Sequence, residues 1–283
     1  MRILVCGLGV TGGTLYKWLE KHTTNELFKH DPPKGFVYDF ANSPKPDAVF
    51  ICVPVPTSKE GTLDYSILKP LLKEFRQPKF DRLPIYIRST LLPKATDHLV
   101  KFLKLRLYSM PEFLTERNAY ESMCEQDIIC GVENNADLQL EQLTRLKGIF
   151  PGKKITLMSN RECELAKYAH NVLGTLKVNF CNLVSKYSEV IGCDYENVLS
   201  GMLMSKYINK TCTQVPGPDG KYGFGGACYP KDLIAFTHEA KRLGLQVGSL
   251  ECVLFENSHY RLARDKWLKQ PHIDFDHSYN PTY

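Results

Sequence analysis

The chain has 283 residues, 43% of them hydrophobic and 24% charged, with a formal net charge of +5. That balance belongs to a globular protein long enough for one large domain or two ordinary ones. Its basic residues are spread along the chain, which gives nucleic acid no stripe to bind, and no apolar run approaches a membrane span, so neither partner is expected.

Residues 2–6 read as a short buried strand, Gly7-Leu8-Gly9-Val10-Thr11-Gly12 follows at once, and residues 14–21 read as a helix. In this motif Gly7 allows the tight turn, Gly9 lets the backbone approach a pyrophosphate, and Gly12 lets helix pack on strand, with the helix N-terminus facing the phosphates. The string carries weight because a strand precedes it and a helix follows. A second strand ends in Leu27-Phe28-Lys29-His30-Asp31, an acid about 20 residues on. Asp31 suits the ribose hydroxyls of NAD and repels a 2′-phosphate. It equally suits a turn before Pro32-Pro33, and Lys29 and His30 leave NADP open. The first residues run directly into the glycine loop without a signal-peptide cleavage region.

Strands and helices then alternate. Residues 47–53 are a strand ending in Pro54-Val55-Pro56-Thr57, 65–75 a helix, 84–88 a strand ending in Ser89-Thr90, and 96–105 a helix. Residues 127–132 and 154–157 are further strands, with 136–148 helical between them. The alternation predicts an α/β fold with a doubly wound parallel sheet of the Rossmann kind, whose ligands lie beyond the carboxyl ends of the strands. The loops at 54–57, 89–93 and 111–116 fall at that edge. Thr90 is therefore placed for function, although Ser-Thr before a turn is common without one. Pro111-Glu112-Phe113-Leu114-Thr115-Glu116 holds two carboxylates four apart, which share a face on one helical turn. Taken alone, they read as a solvated first turn.

The second half reads as helical. Ser159-Asn160-Arg161-Glu162 has the spacing of a capping box, opening a helix to about Val190 whose apolar face is Leu165, Val172, Leu176, Phe180 and Tyr187. Glu164, Lys167 and Asn171 form another stripe. A lysine and an amide one turn apart can jointly hold an oxygen that develops negative charge, but spacing alone gives a solvated face with an ordinary Glu–Lys pair. Gly192-Cys193-Asp194 ends this helix, residues 195–204 begin another, and a polar loop at 211–222 leads into Gly223-Phe224-Gly225-Gly226-Ala227-Cys228-Tyr229-Pro230-Lys231-Asp232. Here the glycines let the backbone turn and come close to a ligand. Asp232 is placed to N-cap a helix with Leu233, Phe236, Ala240 and Leu243 on its apolar side. A cysteine facing a helix N-terminus is favoured as thiolate. A lone cysteine would read as a small buried residue in a turn; glycines, cysteine and capping aspartate together favour the reactive reading. Residues 251–266 form a last amphipathic helix, and the tail beyond Pro271 has no periodicity.

This divides the chain into a dinucleotide-binding domain at 1–157, a helical domain at 158–268 and an extended tail at 269–283. Of ten cysteines, none forms a C-x-x-C pair. Cys6, Cys52, Cys130 and Cys252 sit in apolar runs, where cysteine behaves as a small hydrophobe. The pattern suits a reducing cytoplasm and offers neither a disulfide framework nor a metal site.

The chain resembles the nucleotide-sugar 6-dehydrogenases, the UDP-glucose and GDP-mannose dehydrogenases, from Arg2 to about Arg261. The motifs that carry the resemblance are Gly7 to Gly12, Ser89-Thr90, Pro111 to Glu116, the Lys167/Asn171 pair, and the Gly225-to-Asp232 match to the family's Gly-Gly-x-Cys-x-Pro-Lys-Asp loop. The resemblance implies NAD as cofactor, held by Gly7, Gly9, Val10, Thr11, Gly12 and Asp31, with Val53 and Thr90 beside it. It implies a nucleotide-sugar substrate contacted by Phe113, Leu114, Lys167, Asn171, Tyr222, Gly225 and Gly226. In the implied reaction the C6 alcohol becomes an aldehyde, Cys228 attacks it, the thiohemiacetal is oxidised to a thioester, and water releases the acid. Lys167 and Asn171 would steady the oxyanion, Asp232 and Thr90 would position a water, Glu116 would act as base in thioester hydrolysis, and Glu112 would support the lysine or the sugar pocket. A homodimer through the long helix is also implied.

There are departures. The family normally adds a third domain that closes over the nucleotide, and this chain reads as a short form without it. The family's Asn-Glu pair reads Asn182-Leu183 here, and its Arg-Ile-Gly triplet reads Tyr207-Ile208-Asn209. A more open site, a smaller alcohol, or a separate chain completing the pocket would each account for this. Two other readings stand beside the four-electron enzyme: a two-electron hydroxyacid-type dehydrogenase, which needs no cysteine, and a non-catalytic NAD or sugar-nucleotide binder.

Overall fold

The computed structural model describes residues 1–57 and 62–261. The chain divides into two units: residues 1–56 with 63–167, and the remainder from Tyr168 onward together with Thr57 and Thr62.

In the first unit, β1 (Arg2–Cys6), β2 (Glu26–His30), β3 (Ala48–Ile51), β4 (Pro84–Ile87) and β5 (Arg106–Ser109) form a parallel sheet in the order β2-β1-β3-β4-β5. Ile3 to Cys6, Ala48 to Ile51 and Ile85 to Ile87 are all buried, as expected of strands covered on both faces. Cys6 pairs with both His30 and Ile51, so the strand order reverses at β1, the position where such sheets open a ligand crevice. The sequence reading did not anticipate β5, whose four residues begin with a half-buried arginine and carry no turn signal.

The remaining strands, β6 (Ile128–Gly131) and β7 (Ile155–Met158), form a separate two-stranded parallel sheet. Asn160 marks the break: its Oδ1 accepts from the Ser109 backbone N–H at 2.8 Å, a bond that continued pairing would otherwise give to a strand carbonyl. Gly131 makes room for it, since a Cβ there would stand 2.3 Å from the same oxygen.

The helices of this unit are α1 (Val10–His22), α2 (Leu68–Glu74), α3 (Ala95–Leu103), α4 (Ala119–Glu125) and α5 (Ala136–Ile149). α1 begins inside the glycine loop, four residues earlier than expected, and α4 was not anticipated. Tyr86 stacks on Phe50 at 5.2 Å and anchors the core that α1, α4 and α5 cover.

α6 (Asn160–Ile191) runs from the first unit into the second, which continues with α7 (Tyr195–Leu203), α8 (Tyr229–Arg242) and α9 (Gly248–Tyr260). The capping box forms: Ser159 N–H donates to Glu162 Oε2 at 2.7 Å and Glu162 N–H to Ser159 Oγ at 3.3 Å. The expected apolar face of α6 is corrected. Val172 is buried, but Leu165, Phe180 and Tyr187 are exposed, and the buried positions include Glu164, Lys167, Asn171, Thr175, Asn179, Asn182, Ser185 and Ser188. The inward face is thus largely polar, because it has hydrogen-bond partners to meet. Cys252 is likewise exposed, since the helical period turns it outward from its apolar neighbours. Leu243 lies past the end of α8 and is exposed, outside the expected apolar side. Residues 262–266 of the expected last helix, and the 269–283 tail, lie outside the described residues. Among the described residues, no helix is long and apolar enough to cross a membrane.

Candidate functional site

The glycine loop of the first unit separates two physical roles. Gly7 has φ +84°, and a Cβ there would stand 2.8 Å from the Cys52 carbonyl group and the Val53 nitrogen. A Cβ on Gly12 would stand 1.8 Å from the Gly7 carbonyl oxygen. These two glycines are therefore required by packing. Gly9 has no neighbour within 4 Å of where its Cβ would be, which is the clearance a ligand needs to approach the backbone. α1 carries no acidic side chain of its own in its first turn, where an anion is favoured. Asp31 Oδ2 accepts from Leu8 N–H at 2.7 Å, which puts its carboxylate against the loop. Val53 is buried, its carbonyl accepts from Ser89 Oγ at 2.6 Å, and Thr90 follows half-buried. Open backbone, helix N-terminus and loop-bound carboxylate fit a dinucleotide.

The two carboxylates of the 111–116 stretch do not share a helical turn. Glu112 Oε2 accepts from Leu114 N–H, closing a local turn incompatible with helix, and Glu116 instead heads a 3-10 turn, Glu116–Asn118, where it is exposed. Glu112 is buried. Its Oε1 accepts from Thr11 Oγ1 at 3.2 Å and lies 3.7 Å from Lys167 Nζ, which also donates to the Glu112 backbone carbonyl at 2.6 Å. Lys167 also lies over the Phe113 ring, 5.6 Å from its centre; Leu114 packs against the core.

Lys167 therefore does not sit on a solvated face, and its partner is not Glu164. Glu164 accepts instead from the backbone N–H groups of Lys94 and Thr96, both at 2.8 Å, and so caps α3. Burial raises the Glu164 carboxyl to about 7, despite these bonds. In the same unit, Arg88 is fully buried at the end of β4, and none of its side-chain nitrogens has a hydrogen-bond partner among the described residues.

In the second unit, Asp232 is not the N-cap of α8. Cys228 holds that position, Pro230 lies in the first turn, and Asp232 N–H bonds back to the Cys228 carbonyl at 2.8 Å. The Asp232 side chain is fully buried, accepts from Asn171 Nδ2 at 2.5 Å and pairs with Lys231. Cys228 is exposed at the N-cap of the 14-residue α8. Burial instead pushes the Cys52 and Cys163 thiols up to about 12 and raises those of Cys6 and Cys130.

Polar side chains hold the loop that leads to Cys228. Gly223 N–H donates to Asn182 Oδ1 at 2.9 Å, and Asn257 both accepts from Phe224 N–H at 2.8 Å and donates to its carbonyl at 3.0 Å. Arg261 donates to the Gly223 carbonyl at 2.9 Å and to Asp219 at 2.5 Å, and lies against Gly225. Gly226 has φ +77°. The Tyr229 hydroxyl lies 3.1 Å from Cys212 Sγ, and its ring fills a notch that only a glycine at 174 leaves open. Tyr222 donates to Glu189 at 3.1 Å. Sequence reading missed Asn257, Arg261 and Asp219, whose spacing carries no signal; Arg88 could have been found as a charge ending the apolar run of β4.

The chain matches two models of one family: "UDP-glucose/GDP-mannose dehydrogenase family, NAD binding domain" over residues 34–146, and its "central domain" over residues 161–259. It is 29% identical to a UDP-glucose 6-dehydrogenase of Rickettsia bellii over 84% of this chain and 55% of the relative. It is 26% identical to a GDP-mannose 6-dehydrogenase of Pseudomonas aeruginosa over 75% of this chain and 51% of the relative. The chain thus spans about half the length of these curated relatives. The fold matches that of a UDP-glucose dehydrogenase from Pyrobaculum islandicum with a TM-score of 0.76 at 23% identity, covering 91% of this chain and 68% of that one.

Proposed function

Because the chain belongs to the UDP-glucose/GDP-mannose dehydrogenase family, whose cofactor is NAD, we propose that it oxidises the C6 alcohol of a nucleotide sugar to the uronic acid. The observation that carries this reading is Cys228, exposed at the N-cap of α8 with the buried Asn171–Asp232 pair one turn behind it. A two-electron alcohol oxidation has no use for a thiol so placed. Bound NAD supplies the hydride acceptor in each oxidation. Gly7, Gly9, Val10, Thr11 and Gly12 would hold it by backbone and helix N-terminus, with Asp31, Val53 and Thr90 at the loop's border.

In the proposed reaction the Cys228 thiolate adds to the C6 aldehyde, and the thiohemiacetal so formed becomes, on oxidation, the thioester that water cleaves. Lys167 and Asn171 steady the oxygen that gains negative charge. Asp232, with Thr90, positions the hydrolytic water, Glu116 acts as base in that step, and Glu112 supports Lys167, consistent with the contact between them. Phe113, Leu114, Tyr222, Gly225 and Gly226 would border the sugar. UDP-glucose is the first substrate to try, given the relatives' names. We further propose a homodimer through α6, on which Leu173, Phe180, Leu183, Tyr187 and Val190 are all exposed at the heptad-like spacing of a helix seam. We place this in the cytoplasm, in keeping with ten cysteines of which none is in a disulfide.

The test is a panel of nucleotide sugars with NAD, read by NADH absorbance against acid formed. The expected yield is two NADH per acid; one NADH and no acid would make this a two-electron dehydrogenase, and cofactor binding without turnover would make it a binder. The Cys228→Ser variant should lower acid formation by about a thousandfold or more. Undiminished acid formation by that variant would remove the thiol from the mechanism.

A further inference from the structure

The Thr11 hydroxyl is bonded far from its own helix. Thr23, Thr175 and Thr213 each donate to a backbone carbonyl three or four residues earlier in the chain, the local bond that a threonine side chain ordinarily makes. Thr11, in the first turn of α1, donates instead to Glu112 Oε1 at 3.2 Å, 101 positions away. Valine has the same branched shape, so packing alone does not require this hydroxyl.

The oxygen it meets has a second neighbour. Glu112 is buried, and its Oε2 accepts from the Leu114 N–H. Its Oε1 lies 3.7 Å from Lys167 Nζ, a buried ammonium that also donates to the Glu112 backbone carbonyl at 2.6 Å. One carboxylate oxygen therefore faces both the glycine loop and the lysine. Thr11 also belongs to the phosphate-holding part of that loop. Gly13 N–H closes on the Gly9 carbonyl at 2.8 Å, so the N–H groups of Val10, Thr11 and Gly12 precede the first intrahelical bond. Those are the donors with which a helix start holds a phosphate. A single residue thus joins the cofactor loop, through its backbone, to Glu112, through its side chain.

We propose that Thr11 is a positioning residue that couples the dinucleotide loop to Lys167: its hydroxyl holds Glu112 Oε1 against the ammonium, so that a dinucleotide bound on the loop and a fixed Lys167 favour each other. Such coupling is reciprocal, so a change at the lysine must be felt in cofactor affinity, and the hydroxyl carries that effect. The part of Lys167 in turnover rests on the function proposed above. The coupling between the loop and the lysine does not.

The experiment uses the full chain with Thr11→Val, Thr11→Ser, Lys167→Met and the Thr11→Val/Lys167→Met double variant. The first readout is NAD affinity by calorimetry, which needs no sugar. Lys167→Met should weaken NAD binding about fivefold in the parent and less than about twofold in the Thr11→Val background. Equal losses in both backgrounds, the result of charge acting through space alone, overturn the proposal, as does no loss in either. Thr11→Val by itself should weaken NAD binding about fivefold, and Thr11→Ser, which keeps the hydroxyl, should restore it. These two variants carry the test should Lys167→Met not fold. The second readout is turnover of the active nucleotide sugar at saturating NAD, where a role confined to holding the cofactor no longer shows. Thr11→Val should lower kcat about fivefold or more, with recovery in Thr11→Ser. Unchanged kcat, or no rescue by serine, also overturns it. A parent inactive with every nucleotide sugar defeats the proposed function, while the NAD cycle still decides whether Thr11 couples the loop to Lys167.

Discussion

The molecule contains two glycine loops, and they are held by opposite means. The loop of the first unit is fixed by backbone against backbone: Gly7 lies on the Cys52–Val53 peptide and Gly12 on the Gly7 carbonyl. The loop of the second unit is suspended from side chains, with Asn182, Asn257 and Arg261 taking its N–H and carbonyl groups. Backbone packing leaves little tolerance for added atoms but needs no particular side chain. Suspension from side chains tolerates sequence change in the loop but depends on a few buried polar groups elsewhere.

Substitutions break this contrast in a definite order. Gly12→Ala should be the most damaging to the fold, by about 3 kcal/mol or more, because backbone cannot move aside as a side chain can. Urea unfolding that shows a loss under 1 kcal/mol, about the ordinary effect of a substitution, would mean that the loop is not backbone-locked. Asn257→Ala should cost about 2–3 kcal/mol, since it strands both the N–H and the carbonyl of buried Phe224, and it should slow the reaction of Cys228 with a thiol reagent or with substrate by freeing its loop. A variant with normal stability would show that the loop supports itself.

Two of the buried acids also differ in how they are met. Asp232 in the second unit is met by side chains, whereas Glu164 in the first unit is met by two backbone N–H groups, and burial still raises it to about 7. The folded state thus keeps the Glu164 proton to higher pH than the unfolded chain. Its contribution is most favourable below the unfolded value of about 4.3 and is lost as pH rises toward 7, by about 1.4 kcal/mol per unit. Glu164→Gln should flatten unfolding free energy across that window, and an unchanged slope would show that Glu164 titrates normally. The smallest expected effect is that of Gly9→Ala. With open space at its Cβ and φ of −67°, the fold should change by under about 0.5 kcal/mol, yet NAD affinity by calorimetry should fall about tenfold.

Much of this was legible in the sequence, and the losses have physical causes. Strand–loop–helix at the start is written in local pattern, so Gly7, Gly9 and Gly12 were found in the right context. The cysteine loop was found by motif. The polar stripe on α6 was misjudged because period alone cannot tell a solvated face from one that meets polar partners: Glu164, Lys167 and Asn171 are all buried. Asp232 was read as a cap because an acid before an apolar run usually is one, and only the backbone shows Cys228 in that place. Glu112 and Glu116 were paired by a helical spacing that Pro111 and the Glu112–Leu114 bond do not allow. Asn257 and Arg261 lie more than 30 residues past Phe224 and Gly223, the residues they hold, a distance over which periodicity says nothing.

That last separation sets a minimum length for a working fragment. Because Asn257 and Arg261 close the end of α9 while bonded to Phe224 and Gly223, trimming the chain before residue 257 would detach the cysteine segment from its supports although every motif residue remained. Proteolytic nicking within the last turn of α9 would have the same result, releasing the cysteine segment without touching it.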